Sequence, residues 1–339
     1  MKTAIIGASG YSGGELLKLI AEHPSLQASV VVAHSNAGEL ITALHPHLIS
    51  YANKRFTPFD LEDVAKCDLV FLALPHGESS KIVKQLPPQQ LVVDLGADFR
   101  LENPLSWSTY YGGDHAGTWT YGLPELSGGR KKISESKKVA NPGCYATAIA
   151  LSCAPFLNVI EADDIVVVAA SGTTGAGRSA KVSLLGSEVM SSLSSYKFAG
   201  AHQHTPEIEE ALSRINGKSV KLSFTPILAP MPRGILATVT ARLSTPISLK
   251  ELRQSFESYY ADHEFVVLLP EGAMPRTSSV VGSNFAHIQC AIDTHTNRVV
   301  ISTAIDNLGK GAASQAIQNA NLMLGLAEST GLMAQGLGV

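Results

Sequence analysis

Apolar and polar positions follow two different patterns along this chain, and the change falls near residue 160. Before it, short continuous apolar runs alternate with helical periodicity. Residues 2–6 read as a strand, Gly7–Gly14 as a turn and residues 15–20 as a helix. Further strands are predicted at 28–33, 68–74, 91–95 and 138–140, the last followed by an apolar stretch through Leu157 that reads as a buried helix. Strands alternating with helices predict a parallel, doubly wound sheet, and their unbroken apolar character fits burial on both faces. Beyond residue 160 strands are predicted at 164–170, 220–225, 236–243, 265–269, 285–292 and 298–305, with helices only at about 206–214 and 248–261. That pattern predicts an α+β domain whose sheet is mixed and largely antiparallel. A final helix is predicted at 309–327, and the aromatic, Gly-rich loop 102–120 has no readable period.

Composition narrows the class. A chain of 339 residues, 45% hydrophobic and 16% charged, suits two domains with substantial cores. No apolar run approaches the roughly 18 residues of a membrane span. The N-terminus runs directly into a strand pattern rather than a signal peptide. A net charge of −3 with no basic stripe argues against nucleic acid as a partner. The four cysteines, Cys67, Cys144, Cys153 and Cys290, are widely spaced. No CxxC pair suggests zinc or a redox couple, so no metal and no disulfide framework are expected. The simplest expectation is a cytoplasmic protein with reduced thiols.

Three segments carry candidate chemistry. In Asn141-Pro142-Gly143-Cys144-Tyr145, the cysteine falls between a strand and a helix, at the helix N-terminus. Open amides and the helix dipole there favour the thiolate, the form that attacks carbonyl carbon. The competing reading is a buried cysteine serving as a small hydrophobe. Gly7, Gly10 and Gly13 are spaced G-x-x-G-x-x-G after a strand and before a helix, the context in which glycines let a backbone approach a dinucleotide pyrophosphate. The second strand ends at His34-Ser35-Asn36 with no acid to hold a ribose hydroxyl, which favours NADP(H) over NAD, with Ser35 as a phosphate donor. In His202-Gln203-His204-Thr205-Pro206-Glu207, Thr205 is the expected N-cap and Pro206 the first helical residue. If the segment before it is extended, its period of two aims both imidazoles the same way, and histidine is the usual proton carrier near neutral pH.

Arginines supply candidate anion contacts. Arg178 ends the Gly-rich loop after residue 170, and Arg100 ends Asp94-Leu95-Gly96-Ala97-Asp98-Phe99-Arg100 at the carboxyl end of a sheet strand. Structural pairing with aspartate is the alternative for Arg100, and Arg233 reads as structural first. The candidate set is then Cys144, His204 and His202 for catalysis. Gly7, Ser9, Gly10, Tyr11, Ser12, Gly13, Ser35, Pro75 and Asn307 are candidates for the cofactor, and Arg100, Asn141, Arg178 and Glu207 for substrate.

These motifs, together with Tyr121-Gly-Leu-Pro-Glu-Leu126, Ser171-Gly-Thr-Thr-Gly-Ala-Gly-Arg178 and Asp306-Asn-Leu-Gly-Lys-Gly-Ala-Ala313, resemble the N-acetyl-gamma-glutamyl-phosphate reductase family from residue 7 to about 325. Aspartate-semialdehyde dehydrogenase is similar more distantly. The resemblance implies a Rossmann-type α/β nucleotide-binding domain, residues 1–143 completed by 309–339, and an α+β catalytic and dimerisation domain, residues 144–308. It implies NADPH-dependent reduction of N-acetyl-L-glutamyl 5-phosphate to the semialdehyde, through a thioester on Cys144, in arginine biosynthesis. It places the acid-base histidine in the His202–Glu207 segment, with His204 favoured, and it implies a homodimer or homotetramer. Reductases of aspartyl or N-blocked aminoadipyl phosphate, and a non-catalytic nucleotide-binding protein, are the rival expectations. Two positions depart from the family pattern: Gly96 stands where serine is usual, and Gln203 where arginine is usual.

Overall fold

The computed structural model describes residues 1–332 and 335–338. The chain divides into two compact units. The first comprises Met1–Pro124, Gly128–Pro142 and residues 312–332; the second comprises Glu125–Ser127, Gly143–Gly311 and residues 335–338. No composition signal marks the short excursion of Glu125–Ser127 into the second unit.

In the first unit, β1 (Lys2–Ile6), β2 (Gln27–Val32), β3 (Leu69–Leu72), β4 (Leu91–Asp94), β5 (Thr120–Tyr121) and β6 (Lys138–Ala140) form one parallel sheet in the order β2-β1-β3-β4-β6-β5. Alternate residues serve alternate faces. Ile5, Leu69, Phe71 and Val93 share a core with Leu16, Leu17 and Ile20 of the helix Tyr11–Glu22 and with Ala313, Ile317 and Ala320. Ala4, Ile6, Val70, Leu72 and Val92 share the opposite core with Val64 and Leu86. Two covered faces explain why these strands read as unbroken apolar runs.

Two expectations change here. The final helix does not run over 309–327: a π-helical turn, Gly309–Ala313, precedes an α-helix, Ser314–Met323. The turn packs too closely for side chains: a methyl group on Gly311 would lie 2.8 Å from Cys144 Cβ, and one on Gly309 would overlap the Ser283 carbonyl. Loop 102–120 contains a helix, Pro104–Tyr110, opened by the Asn103 side chain accepting from Leu105 N–H. Its order comes from stacked rings, Trp107 on Tyr111 and Phe99 on Trp119, which leave no period in the sequence.

In the second unit, β7 (Ile160–Ser171), β8 (Ser194–Ser195), β9 (Leu222–Leu228), β10 (Ile235–Leu243), β11 (Val266–Leu268), β12 (Ala286–Asp293) and β13 (Arg298–Ile305) form a sheet ordered β11-β12-β13-β10-β7-β9-β8. Only β7–β9 and β11–β12 pair in parallel. The helix Cys144–Cys153, apolar all round and buried from Tyr145 onward, packs on β10 and β13. The helix Leu249–Tyr259 opens with a reciprocal Ser248–Glu251 capping box and buries Leu252 and Phe256. Among the described residues no helix is long and apolar enough to cross a membrane.

Lys310 and Glu125 form an ion pair at 2.6 Å with both side chains essentially sealed from solvent, and the Lys310 ammonium also lies over the Phe265 ring. Removing one member strands a buried charge. Lys310→Met alone is therefore expected to lower unfolding stability by about 3–5 kcal/mol in urea titration, and adding Glu125→Leu to recover most of it. A double variant as unstable as the single one would show that the ammonium does more than neutralise the carboxylate.

Candidate active site

The first unit carries the glycine loop. Gly7 has φ +89°, a left-handed conformation, and a methyl group there would overlap the Ala73 carbonyl. One on Gly13 would lie 2.5 Å from Ala8 Cα. Gly10 is the N-cap residue of the helix Tyr11–Glu22, and its amide donates to the Gly7 carbonyl. Ser9, Tyr11 and Ser12 belong to the same turn. A turn with no room for a Cβ at Gly7 and Gly13, opening at a helix N-terminus, is what a dinucleotide pyrophosphate requires, so these residues fit such a cofactor. Ser35 and Pro75 are exposed beyond the carboxyl ends of β2 and β3. Arg100 and Asn141 meet differently from expectation: Arg100 is 8% exposed, donating from Nε to the Asn141 carbonyl and from Nη2 to the Leu95 carbonyl. The fully buried Asn141 amide donates to the Ala312 carbonyl and accepts from Asn319.

The second unit carries the thiol. Cys144 is the first residue of its helix, and Gly143 is the N-cap. It is half-buried, whereas Cys67, Cys153 and Cys290 are buried. Burial pushes those three thiols up, Cys153 to about 12 and Cys290 to about 11. The Gly143 amide donates to Glu207 Oε1 at 2.8 Å, so a buried carboxylate holds the peptide just before the cysteine. The His204 imidazole lies against Gly143, where any Cβ would overlap Nε2, and Gly311 backs Cys144 from within the same unit.

The histidine segment is not extended. The helix begins at His204 with Gln203 as its N-cap residue and runs to Asn216. Thr205 is therefore not the N-cap, and Pro206 is the third helical residue. The cap comes from elsewhere: His202 Nδ1 accepts the His204 amide at 3.1 Å, a role that a sequence scan for Ser, Thr, Asp or Asn does not see. The rings nonetheless meet, at 4.8 Å between centroids. His202 is 6% exposed inside a box of Tyr145, Tyr196, Phe224 and His204. Tyr196 donates to Tyr145 Oη at 3.1 Å, and burial pushes both phenols up, Tyr196 to about 12. Tyr196 carried no motif, only an aromatic ring in a polar run. At the Gln203 departure, Lys197 Nζ donates to Gln203 Oε1 at 2.6 Å, so a lysine stands beside the position where arginine is usual.

The remaining candidates sit on other turns of the second unit. Arg178 is exposed on its Gly-rich loop. Asn307 is 2% exposed; its Oδ1 accepts from Gly234 N–H and its Nδ2 donates to Thr174 Oγ1, tying two turns together. Arg233 is structural, gripping the buried Asp306 carboxylate through Nε and Nη2. Among the described residues no group of three or more His, Cys, Asp or Glu is placed to hold a metal ion.

Burial, then the nearby His204 and Lys197 charges, push His202 down to about 2, against an opposing pull from Glu207. Between that value and 6.5 the unfolded chain takes up a proton here that the folded chain refuses, so stability falls as pH falls through this window. One such proton is worth up to about 1.4 kcal/mol per pH unit. The non-titrating His202→Asn variant is expected to show a correspondingly shallower loss of stability between pH 6 and pH 4 in paired urea titrations (an interval chosen on the order of the window above). An unchanged slope would mean that His202 is charged in the fold.

Two family models divide the chain at the same place as the structure. "Semialdehyde dehydrogenase, NAD binding domain" matches residues 2–136, and "Semialdehyde dehydrogenase, dimerisation domain" matches residues 144–307. The N-acetyl-gamma-glutamyl-phosphate reductase of Acidothermus cellulolyticus is 55% identical over 338 residues, 99% of this chain and 98% of the relative. That of Arthrobacter sp. strain FB24 is 51% identical over 339 residues, 99% of each. Among solved structures, aspartate semialdehyde dehydrogenase II of Vibrio cholerae superposes with a TM-score of 0.70 at 14% identity, over 95% of this chain and 98% of that one. The Francisella tularensis enzyme gives 0.71 at 14% identity, over 96% and 100%. At that identity the likeness concerns the fold alone. The full-length identity to the curated relatives, with both domain models in sequence order, shows that this chain belongs to the N-acetyl-gamma-glutamyl-phosphate reductase family.

Proposed function

We propose that this protein reduces N-acetyl-L-glutamyl 5-phosphate to N-acetyl-L-glutamate 5-semialdehyde and phosphate, with NADPH, through a thioester on Cys144, as a step of arginine biosynthesis. The observation that carries this reading is a half-buried thiol at the first turn of a buried helix, with the His204 imidazole seated on the residue before it. The glycine loop of the first unit would hold the dinucleotide phosphates, and when bound the reduced nicotinamide supplies the hydride. The loop after β2 has no acid at Ser35, and Arg55, hydrogen-bonded to the Gly38 carbonyl on that loop, adds a cation suited to a 2′-phosphate.

The chain's own residues divide the remaining work. The Cys144 thiolate attacks the acyl carbonyl; the C–S bond forms as the C–O bond to phosphate breaks, and phosphate leaves with the electron pair. The first-turn amide of Cys144 is the candidate oxyanion donor. His204 takes the thiol proton and later protonates the oxygen that develops; as the carbonyl re-forms and that proton returns to the imidazole, the C–S bond breaks, the aldehyde leaves, and the Cys144 sulfur recovers its proton. His202, held neutral, keeps His204 in place rather than carrying a proton itself. Glu207 acts through Gly143, fixing the turn on which the thiol sits. Arg178 and Arg100 remain the candidate anion contacts, Arg100 only if its carbonyl bonds exchange. A homodimer is supported by apolar exposure in the second unit: Val166 and Val168 on one face of β7, and Val182, Met190, Leu193 and Phe198 on the segment that follows.

Two variants test this reading. With N-acetylglutamate semialdehyde, phosphate and NADP or NAD, Cys144→Ser is expected to lose roughly 10³-fold or more in kcat. Near-full turnover by that variant sinks the thioester scheme, and faster turnover with NAD sinks the cofactor assignment. Gly143→Ala puts a methyl group where the imidazole lies, and displacing a proton carrier by about 1 Å costs about 10²-fold in kcat. Wild-type kcat in that variant would remove His204 from the reaction.

A further inference from the structure

His45 has no part in the chemistry above, yet it is 4% exposed and bonded into the glycine loop of its own unit. It follows the short helix Ile41–Leu44, and its amide closes that turn onto the Ile41 carbonyl. Its Nε2 lies 3.0 Å from the Ala8 carbonyl oxygen. A carbonyl only accepts, so Nε2 carries the hydrogen. The ring lies on the first turn of the helix Tyr11–Glu22, where a methyl group on Gly14 would overlap it, and Phe56 meets it edge-on at 6.2 Å. Ala8 is gripped from its other side as well, since its own amide donates to the Val32 carbonyl at the end of β2.

The consequence follows from peptide planarity. The Ala8 carbonyl and the Ser9 amide belong to one trans peptide unit, in which C=O and N–H point in opposite directions. Fixing the carbonyl toward His45 fixes the Ser9 N–H away from it. We infer that His45 is a positioning residue for the dinucleotide loop: it orients the Ala8–Ser9 peptide so that the Ser9 amide serves a pyrophosphate oxygen. This rests on the reading of the Gly7–Gly13 loop as the dinucleotide phosphate site. Gly14 belongs to the same device, because only a residue without Cβ lets the imidazole lie close enough to reach Ala8.

The test uses two variants of the full-length protein, His45→Met, which fills similar volume without a donor, and His45→Gln, whose amide nitrogen falls near the position of Nε2. NADPH affinity is titrated by nicotinamide fluorescence, and affinity for adenosine 2′-monophosphate, which lacks the pyrophosphate, is measured alongside. His45→Met is expected to weaken NADPH about tenfold, to leave kcat at saturating NADPH and the affinity for adenosine 2′-monophosphate within about twofold, and to be largely rescued in His45→Gln. Unchanged NADPH affinity, equal loss of both ligands, a failed rescue, or a His45→Met chain that does not fold would each overturn the assignment to His45. Wild-type protein that binds neither NADPH nor NADH would instead overturn the reading of the loop on which it rests.

Discussion

A helix buried on every side still has to satisfy the N–H groups of its first turn, and this requirement organises the second unit. The helix Cys144–Cys153 has no solvent along its length from Tyr145 onward. Gly143 at its entry is buried, and the sequence offers no Ser, Thr, Asp or Asn at the cap. The acceptor arrives from a distant part of the chain, in the Glu207 carboxylate on the Gly143 amide. That bond brings the helix His204–Asn216 against the entry and seats His204 with it. The contact that takes up the N-cap amide therefore also delivers the imidazole.

Close approach sets the second condition. Gly143 and Gly311 are small because other groups occupy the space a side chain would fill: the His204 ring at one, Cys144 itself at the other. The charges are sorted as tightly. The buried Glu207 carboxylate takes the Gly143 amide at the helix entry. Of the two imidazoles, His202 is kept neutral by burial in its aromatic box.

Much of this was legible in the sequence, for identifiable reasons. Strands covered on both faces leave unbroken apolar runs, so β1, β3 and β4 stood out. The glycine loop was readable because steric exclusion at Gly7 and Gly13 admits one residue type. What stayed hidden depends on partners far along the chain. Nothing in His202-Gln203-His204 announces that one histidine caps the helix that the other begins. Nothing local to Arg100 or Asn141 tells that their polar groups turn to backbone carbonyls and to Asn319. The helix in loop 102–120 was unreadable because ring stacking between Trp107 and Tyr111 replaces periodic burial.

The first unit is assembled from separated pieces, and that has a consequence for synthesis on the ribosome. Ala313, Ile317 and Ala320 complete the core under Ile5, Phe71 and Val93, yet they emerge after all thirteen strands. Until they do, the sheet face shared with Leu16, Leu17 and Ile20 of the helix Tyr11–Glu22 is only partly covered, while every strand of the second sheet is already available. Vectorial folding cannot finish the N-terminal unit first. Its completion waits for the chain behind it, and the nascent protein spends that interval with part of this core open to chaperones.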